Sequence, residues 1–184
     1  MTSNAYMRKK QPELVRRAIL EHAAIIAQAE GIAGVTVQGV ALAAGVTKGG
    51  VFHHFPSKHA LIEAMFDEMM ERLDAAIDTY LDHDNAYGCF TRAYVDVLLM
   101  GEQFGVGSPF DALGATVVTD PAKGASWDRW VEDRLSRHRL TDAFPALEIV
   151  RFASDGAWFA YFGRPQGKDL IQLRDRLIAM TRSK

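Results

Sequence analysis

The sequence predicts an all-α chain, with an N-terminal three-helix helix-turn-helix domain over 1–60 joined by a long helix to a helical domain over 61–184. Three observations carry that prediction. Cap residues, prolines and glycines recur at intervals that open and close helices. Apolar residues repeat at steps of three and four, and no convincing period-2 strand occurs; the one β-branched run, 116–119, is too short to count. Two segments of about two turns each, opened by Thr36 and Thr47, are separated only by a short glycine-containing turn, the spacing of a helix-turn-helix.

Pro12 fits the first turn of the opening helix, where its missing N–H removes a group that would have no partner anyway. That helix is expected to run to about Glu30 with Leu14, Val15, Ala18, Ile19, His22, Ile26 and Ala29 on one stripe, and to end at Gly31 and Gly34. Thr36 is placed to cap a segment over 37–44, too short to be stable unless packed, and Gly45 closes it. Thr47 caps the next, over 48–55, which stops near Pro56. From Ser57 a long helix runs to about Leu81. One side of it is apolar (Leu61, Ile62, Met65, Phe66, Met69, Leu73, Ile77, Tyr80), and eight Asp/Glu stand against Arg72 alone between 61 and 85. Asp84 or Asn85 can cap a helix near 86–104. Ser108-Pro109, Asp120-Pro121, and Asp142 ahead of Pro145 point to helices near 109–118, 121–139 and 145–163, with a last one near 168–182.

The chain has 184 residues, 48% of them hydrophobic, which suffices to bury a core and excludes disordered or collagen-like organisation. No window approaches 18 uninterrupted apolar residues, and residues 1–11 are polar and basic with no apolar stretch behind them that ends in a small-residue cleavage site; the expectation is a cytoplasmic protein with no membrane partner. The single cysteine, Cys89, can make no internal disulfide and no cysteine-built metal site. The formal net charge of -2 hides a division. Residues 1–60 hold seven Lys/Arg against three Glu, and residues 61–184 hold fourteen against twenty Asp/Glu, so the parts carry +4 and -6. Four of the six histidines (His22, His53, His54, His59) also fall in the basic part. A cationic module on an acidic body suits a polyanionic partner.

The segment over 45–58, GVTKGGVFHHFPSK, preceded by Val35-Thr36-Val37 and Val40-Ala41, resembles the DNA-binding domain of the TetR family of transcriptional regulators. The likeness covers roughly 12–60 and combines a spaced glycine, two cap residues, an aromatic, a His-Phe pair and a lysine in order. It implies a homodimeric helix-turn-helix regulator, most simply a repressor, that releases its duplex DNA operator when a small molecule binds the helical C-terminal domain. Val40, Ala41, Val46, Val51 and Phe55 would pack the short helices onto the first one. Lys48, Gly49, Phe52 and His53 then face outward, and a helix entering the major groove by its first residues puts Lys48, Gly49 and Gly50 nearest the base edges, with Lys48 a candidate to read guanine. Thr36 and Thr47 can cap, contact phosphate, or both. By the resemblance His54 and Lys58 bind backbone phosphate and position the domain. The sequence departs from the family at Phe52, where tyrosine is usual and its hydroxyl is missing, and at His59, where glutamate is common.

Adjacent helical residues point about 100° apart, so His53 and His54 cannot chelate together, and no metal or other cofactor is implied. No nucleophile, base and orienter set appears either, and an enzyme is not expected. The alternative is a helical ligand-binding or scaffold protein whose basic N-terminus meets an acidic partner instead of DNA.

Over 61–184 the resemblance rests on helix number and order. A lipophilic, weakly polar or cationic effector is expected between the long helix and the helices from 86 to 163. Candidate lining residues are Met65, Met69, Tyr94, Met100, Phe104, Phe110, Trp127, Trp130, Trp158 and Phe162. The last two helices carry apolar stripes suited to a four-helix dimer interface, namely Ile149, Phe152, Ala153, Gly156, Ala157 and Ala160 on one and Leu170, Leu173 and Leu177 on the other.

Overall fold

The computed structural model describes residues 3–81, 85–102 and 105–182, and among them every regular element is helical. In order these are α1 (Ser3–Gly34), α2 (Val37–Ala43), α3 (Lys48–His54), α4 (Lys58–Leu81), α5 (Cys89–Met100), α6 (Asp111–Thr119), α7 (Pro121–Arg137), α8 (Arg139–Asp142), α9 (Pro145–Tyr161) and α10 (Lys168–Met180). They form two compact units, Met1–Glu68 and Met69–Lys184, with the division falling inside α4. None of the described helices is long and apolar enough to cross a membrane.

In the first unit α2 packs on α3 and both pack on α1. Gly31, at φ 73 and ψ 172, breaks the helical path of α1 in a backbone region open to glycine, so only one further turn follows it. The buried stripe of α1 is Ile19, Leu20, Ala23, Ala24 and Ala27, whereas Leu14 and Ala29, expected on it, are exposed. The real stripe is rotated toward the small alanines, which let the short helices approach. Between α2 and α3, Gly45 (φ 66) donates to Leu42 O and Val46 to Ala41 O, the paired bonds of a Schellman stop. Phe55 leaves α3 extended, as a residue before proline must. Ser57 Oγ then accepts from Ala60 N at 3.0 Å and opens α4.

The second unit is organised around α5, which is buried on nearly all sides and packs against α8, α9 and α10, while α6 packs on α7. Several expected boundaries shift here. α5 starts at Cys89, after Gly88 in the left-handed region; Asn85 lies outside it, and Asp84 lies outside the described residues. It stops at Met100, where Gly101 turns extended. Ser108-Pro109 belongs to the turn before α6 and does not open it; α6 begins at Asp111. Asp120 does cap α7, accepting from Ala122 N at 2.9 Å ahead of Pro121. α9 starts at Pro145 as expected, but its N-cap is Phe144, because Asp142 is engaged elsewhere. Fully buried, Asp142 accepts from Phe90 N at 3.2 Å and from Thr91 N at 2.8 Å, supplying α5 with the cap its own sequence lacks.

Candidate functional site

The first unit presents α3 outward. Thr36 Oγ1 accepts from Gly39 N and Thr47 Oγ1 from Gly50 N, each at 3.0 Å, so both threonines act as true caps. Val51 and Phe55 are buried, and Lys48, Gly49, Phe52 and His53 are exposed on the other side of α3, with Gly50 and His54 half-buried. One turn apart, the Lys48 ammonium sits 5.8 Å from the centre of the Phe52 ring, so the phenylalanine supports the lysine even without a hydroxyl. The His53 and His54 rings meet edge-on at 5.3 Å. Lys58 Nζ donates to Ala33 O at 3.0 Å, tying the start of α4 to the end of α1; an ammonium has two more donors to offer. A methyl added at Gly49 would come no nearer than 3.8 Å to a neighbouring atom, and one at Gly50 no nearer than 3.4 Å, so internal packing does not explain either glycine.

The second unit contains a cavity of about 270 Å³. Its walls are Met69 and Leu73 of α4, Leu98 of α5, Phe110 with Asp111, Gly114, Val117 and Val118 around α6, Trp127 and Asp128 of α7, and Asp155, Trp158 and Phe159 of α9. Four of the ten expected residues are on these walls: Met69, Phe110, Trp127 and Trp158. The others are not. Met65 is core of the first unit, Tyr94 is buried behind the wall, and Met100 is half-buried away from it. The Trp130 indole N–H donates to Asp74 Oδ1 at 2.6 Å, and Phe162 stacks edge-on against Trp158 at 5.5 Å from outside the lining. Phe104 lies outside the described residues. Periodicity marks such side chains as apolar and inward, but whether they meet a void or another helix depends on contacts between distant segments.

The lining residues that periodicity does not reveal are acidic. Asp111, Asp128 and Asp155 all face the cavity, and among the described residues no Lys, Arg or His does. Asp111 is 5% exposed; its Oδ2 accepts from Gly107 N at 3.0 Å and Gly163 N at 3.2 Å, while Oδ1 has no hydrogen-bond partner. Burial raises its pKa above the usual carboxylate value, against the pull of those N–H groups and of the neighbouring Trp158. Burial also raises Asp155, opposed by the Tyr94 hydroxyl, which donates to its Oδ1 at 2.5 Å, and by Arg151. Gly114 is required by shape: a Cβ there would lie 2.6 Å from Trp158 Cζ2, so the indole rests on bare helix backbone.

The outer face of α9 is apolar and uncovered, with Ile149, Phe152, Ala153, Gly156 and Ala160 all exposed and Phe152 reaching 68%. On α10 Leu173 is half-buried. Ala157, Leu170 and Leu177, expected on the same face, are buried within the unit, because α9 and α10 also turn a side toward α5 and each other. Ile171 and Met180 are the exposed large apolar residues of α10.

Residues 88–182 match the family described as "Tetracyclin repressor-like, C-terminal domain", and residues 19–65 match "Bacterial regulatory proteins, tetR family". The chain belongs to the TetR family. Among TetR-family relatives, the HTH-type transcriptional regulator TtgR of Pseudomonas putida is 30% identical over 91 residues, which cover 48% of this chain and 43% of TtgR. The chain thus spans less than half the length of that relative. A transcriptional regulator from Rhodococcus sp. Rha1 superposes with a TM-score of 0.68 at 20% identity, covering 93% of this chain and 95% of its own. The multidrug binding protein EbrR, complexed with malachite green, superposes with a TM-score of 0.64 at 17% identity, covering 91% and 98%. At these identities the likeness shows a common TetR fold.

Proposed function

We propose that the chain is a sequence-specific transcriptional regulator, a homodimeric repressor that releases a duplex DNA operator when a small lipophilic molecule fills the cavity of the second unit. Residues 1–60 would contact DNA, and 61–184 would bind the effector and dimerise. The observation that carries this reading is the start of α3, where Lys48, Gly49 and Gly50 stand exposed or half-exposed on a helix braced from behind by Val51 and Phe55. A helix entering the major groove by its first turn brings those three nearest the base edges, with Lys48 offered to guanine. Thr36, Thr47, His53, His54 and Lys58 are assigned to backbone phosphates and Phe52 to apolar contact with a thymine methyl or sugar. TtgR, named as an HTH-type transcriptional regulator, and EbrR, captured with malachite green, support the two halves of the reading.

Dimerisation through α9 and α10 is supported by Gly156. A methyl there would meet nothing within 4 Å, so the chain itself gives no reason to accept a mid-helix glycine costing about 1 kcal/mol. Close approach of a second α9 does.

The test is a mobility shift on the DNA upstream of the chain's own gene, over a range of salt. Lys48→Ala is expected to lose about 1–3 kcal/mol of discrimination between operator and unrelated duplex, with non-specific binding nearly kept. Absence of any sequence preference by the parent at low salt would defeat the reading in favour of a non-DNA acidic partner.

A further inference from the structure

A different cavity of the second unit, of about 260 Å³, lies between the end of α4, α5 and α10. Its charge is opposite in sign to that of the cavity beside α6. Arg92 of α5, with Arg174 of α10 and Arg182 just past the end of α10, stand on its wall with a single carboxylate, Asp96. The cavity beside α6 has three carboxylates and, among the described residues, no basic side chain. Tyr80 and Cys89 also reach the arginine-lined wall, and both are uncharged near neutral pH. Hydrogen bonding to Asp96 and then burial push the Tyr80 hydroxyl up to about 12, and burial raises the Cys89 thiol. Three arginines less one aspartate leave the described lining with two positive charges in excess, in a part of the chain whose own balance is -6.

Two of the three arginines are held in place. Arg92 Nη1 donates to Tyr87 O at 2.7 Å and to Thr181 O and Oγ1 at 2.9 and 3.2 Å, which joins α5 to the end of α10. Gly88 makes room for that junction: its backbone is left-handed, at φ 74, and a Cβ there would lie 2.6 Å from Thr181 O and 3.2 Å from Arg92 Nη1. Arg174 Nη1 lies 3.3 Å from Asp96 Oδ1 and 3.2 Å from Asp175 Oδ1. Asp96 is engaged twice, because the Tyr80 hydroxyl donates to its Oδ2. Arg182 is exposed, and no carboxylate among the described residues pairs with it.

Guanidinium groups present planar forks that match carboxylate oxygens, and several on one wall favour an anion over a neutral or cationic occupant. Arg174, Ile178 and Arg182 recur at steps of four, so the two α10 arginines flank an apolar side chain on one face, and Ala93 of α5 adds a second apolar contact. The volume lies just under the about 300–1,000 Å³ of pockets that hold drug-sized molecules, which limits the occupant to a few carbon atoms. Tyr80 is the one aromatic side chain of the described lining, and its hydroxyl is tied to Asp96, so the wall does not suit a stacked base. We propose that the space between α5 and α10 is a second ligand site, which takes a small aliphatic dicarboxylate. One carboxylate lies against Arg174 and the other against Arg182, with Arg92 across from them and the methylenes on Ile178 and Ala93. Two charges on the ligand match the two in excess on the wall, and the site stands apart from both the DNA-reading helix and the cavity beside α6.

The test is isothermal titration calorimetry of the full chain with succinate, its uncharged analogue succinamide, and inorganic sulfate. Succinate is expected to bind, succinamide to give no measurable heat, and sulfate, which has no methylenes and cannot span both arginines, to bind about tenfold or more weaker. Arg182→Gln should weaken succinate about tenfold, and Arg182→Lys by less, since an ammonium keeps the charge without the fork. Arg182 is exposed, so both variants should melt with the parent. Arg176→Gln removes the same charge from another exposed position of α10 and should change nothing. Absence of succinate binding, equal binding of succinamide, or sulfate as tight as succinate, which would mark an adventitious anion only, would each overturn the proposal. So would an affinity that Arg182→Gln leaves intact, the outcome expected if succinate is held by the basic residues 1–60 instead, or an equal loss on Arg176→Gln, the outcome of net charge alone. Should Arg182→Gln fail to fold, the parent's discrimination of succinate from succinamide and sulfate decides.

Discussion

Two adjacent glycines at the start of α3 cost that helix about 2 kcal/mol relative to alanines, and neither is required by packing in the first unit. A gain outside the unit must offset the loss, and close approach of backbone to a DNA groove is the one consistent with their exposure. Gly49→Ala and Gly50→Ala should therefore leave the melting temperature unchanged or raise it, while weakening operator binding about tenfold, roughly 1.4 kcal/mol. Tight operator binding by both variants would remove the explanation. The roles of Thr36, Thr47 and Ser57 were legible in the sequence because a cap acts on N–H groups two or three residues away. Lys58 was legible only in part: its bond to Ala33 O spans 25 residues. Asp111 gave no signal, since an aspartate in a first helical turn usually needs no partner beyond solvent and the N–H groups beside it.

At the scale of elements, α5 shows where local reading fails. Its sequence offers no capping side chain, so the residues before it invited a helix starting at 86, and the actual start is set by Gly88 and by a carboxylate over 50 residues further along. Asp142 accepts from two backbone N–H groups of α5 and from the Thr91 hydroxyl at 2.6 Å, which in turn accepts from Arg151 at 2.8 Å. Burial lowers the Arg151 pKa, and Asp142 is the strongest of the charges opposing that. Asp142→Ala would strand two helical N–H groups and leave Arg151 buried without that counter-charge. It should lower unfolding free energy by about 3 kcal/mol, read as a lower urea midpoint with an unchanged slope. A midpoint equal to the parent's would mean that the network contributes nothing net. By contrast α7 and α9 start where Pro121 and Pro145 say they do, because proline at the first position acts through its own ring, whereas Pro12, expected in the first turn of the opening helix, lies inside α1, which begins at Ser3.

At the scale of the molecule, the net charge of -2 divides along the sequence into a basic 1–60 and an acidic 61–184. Part of that acidity is paired: Asp74 and Asp78 of α4 form ion pairs with the buried Arg134. The remainder disfavours contact of the second part with DNA and leaves the first as the attractive surface. One such basic module makes few contacts, and two read together only if a dimer links them. Phe152 sits in the exposed apolar stripe of α9, and a charge there costs the isolated unit little because the side chain is already in solvent. Across a two-fold contact, Phe152→Glu would set two carboxylates facing each other in place of two phenyl rings. Light scattering should then show the mass fall from twice 20.4 kDa to the monomer value at micromolar concentration, with helicity and melting of the unit kept. Affinity for a two-half-site operator should drop on the order of a hundredfold, because the second half-site is no longer bound intramolecularly, while binding to a single half-site stays the same. A parent protein that is already monomeric, or a Phe152→Glu variant that remains dimeric, would remove α9 as the link and leave the glycine at 156 without a cause.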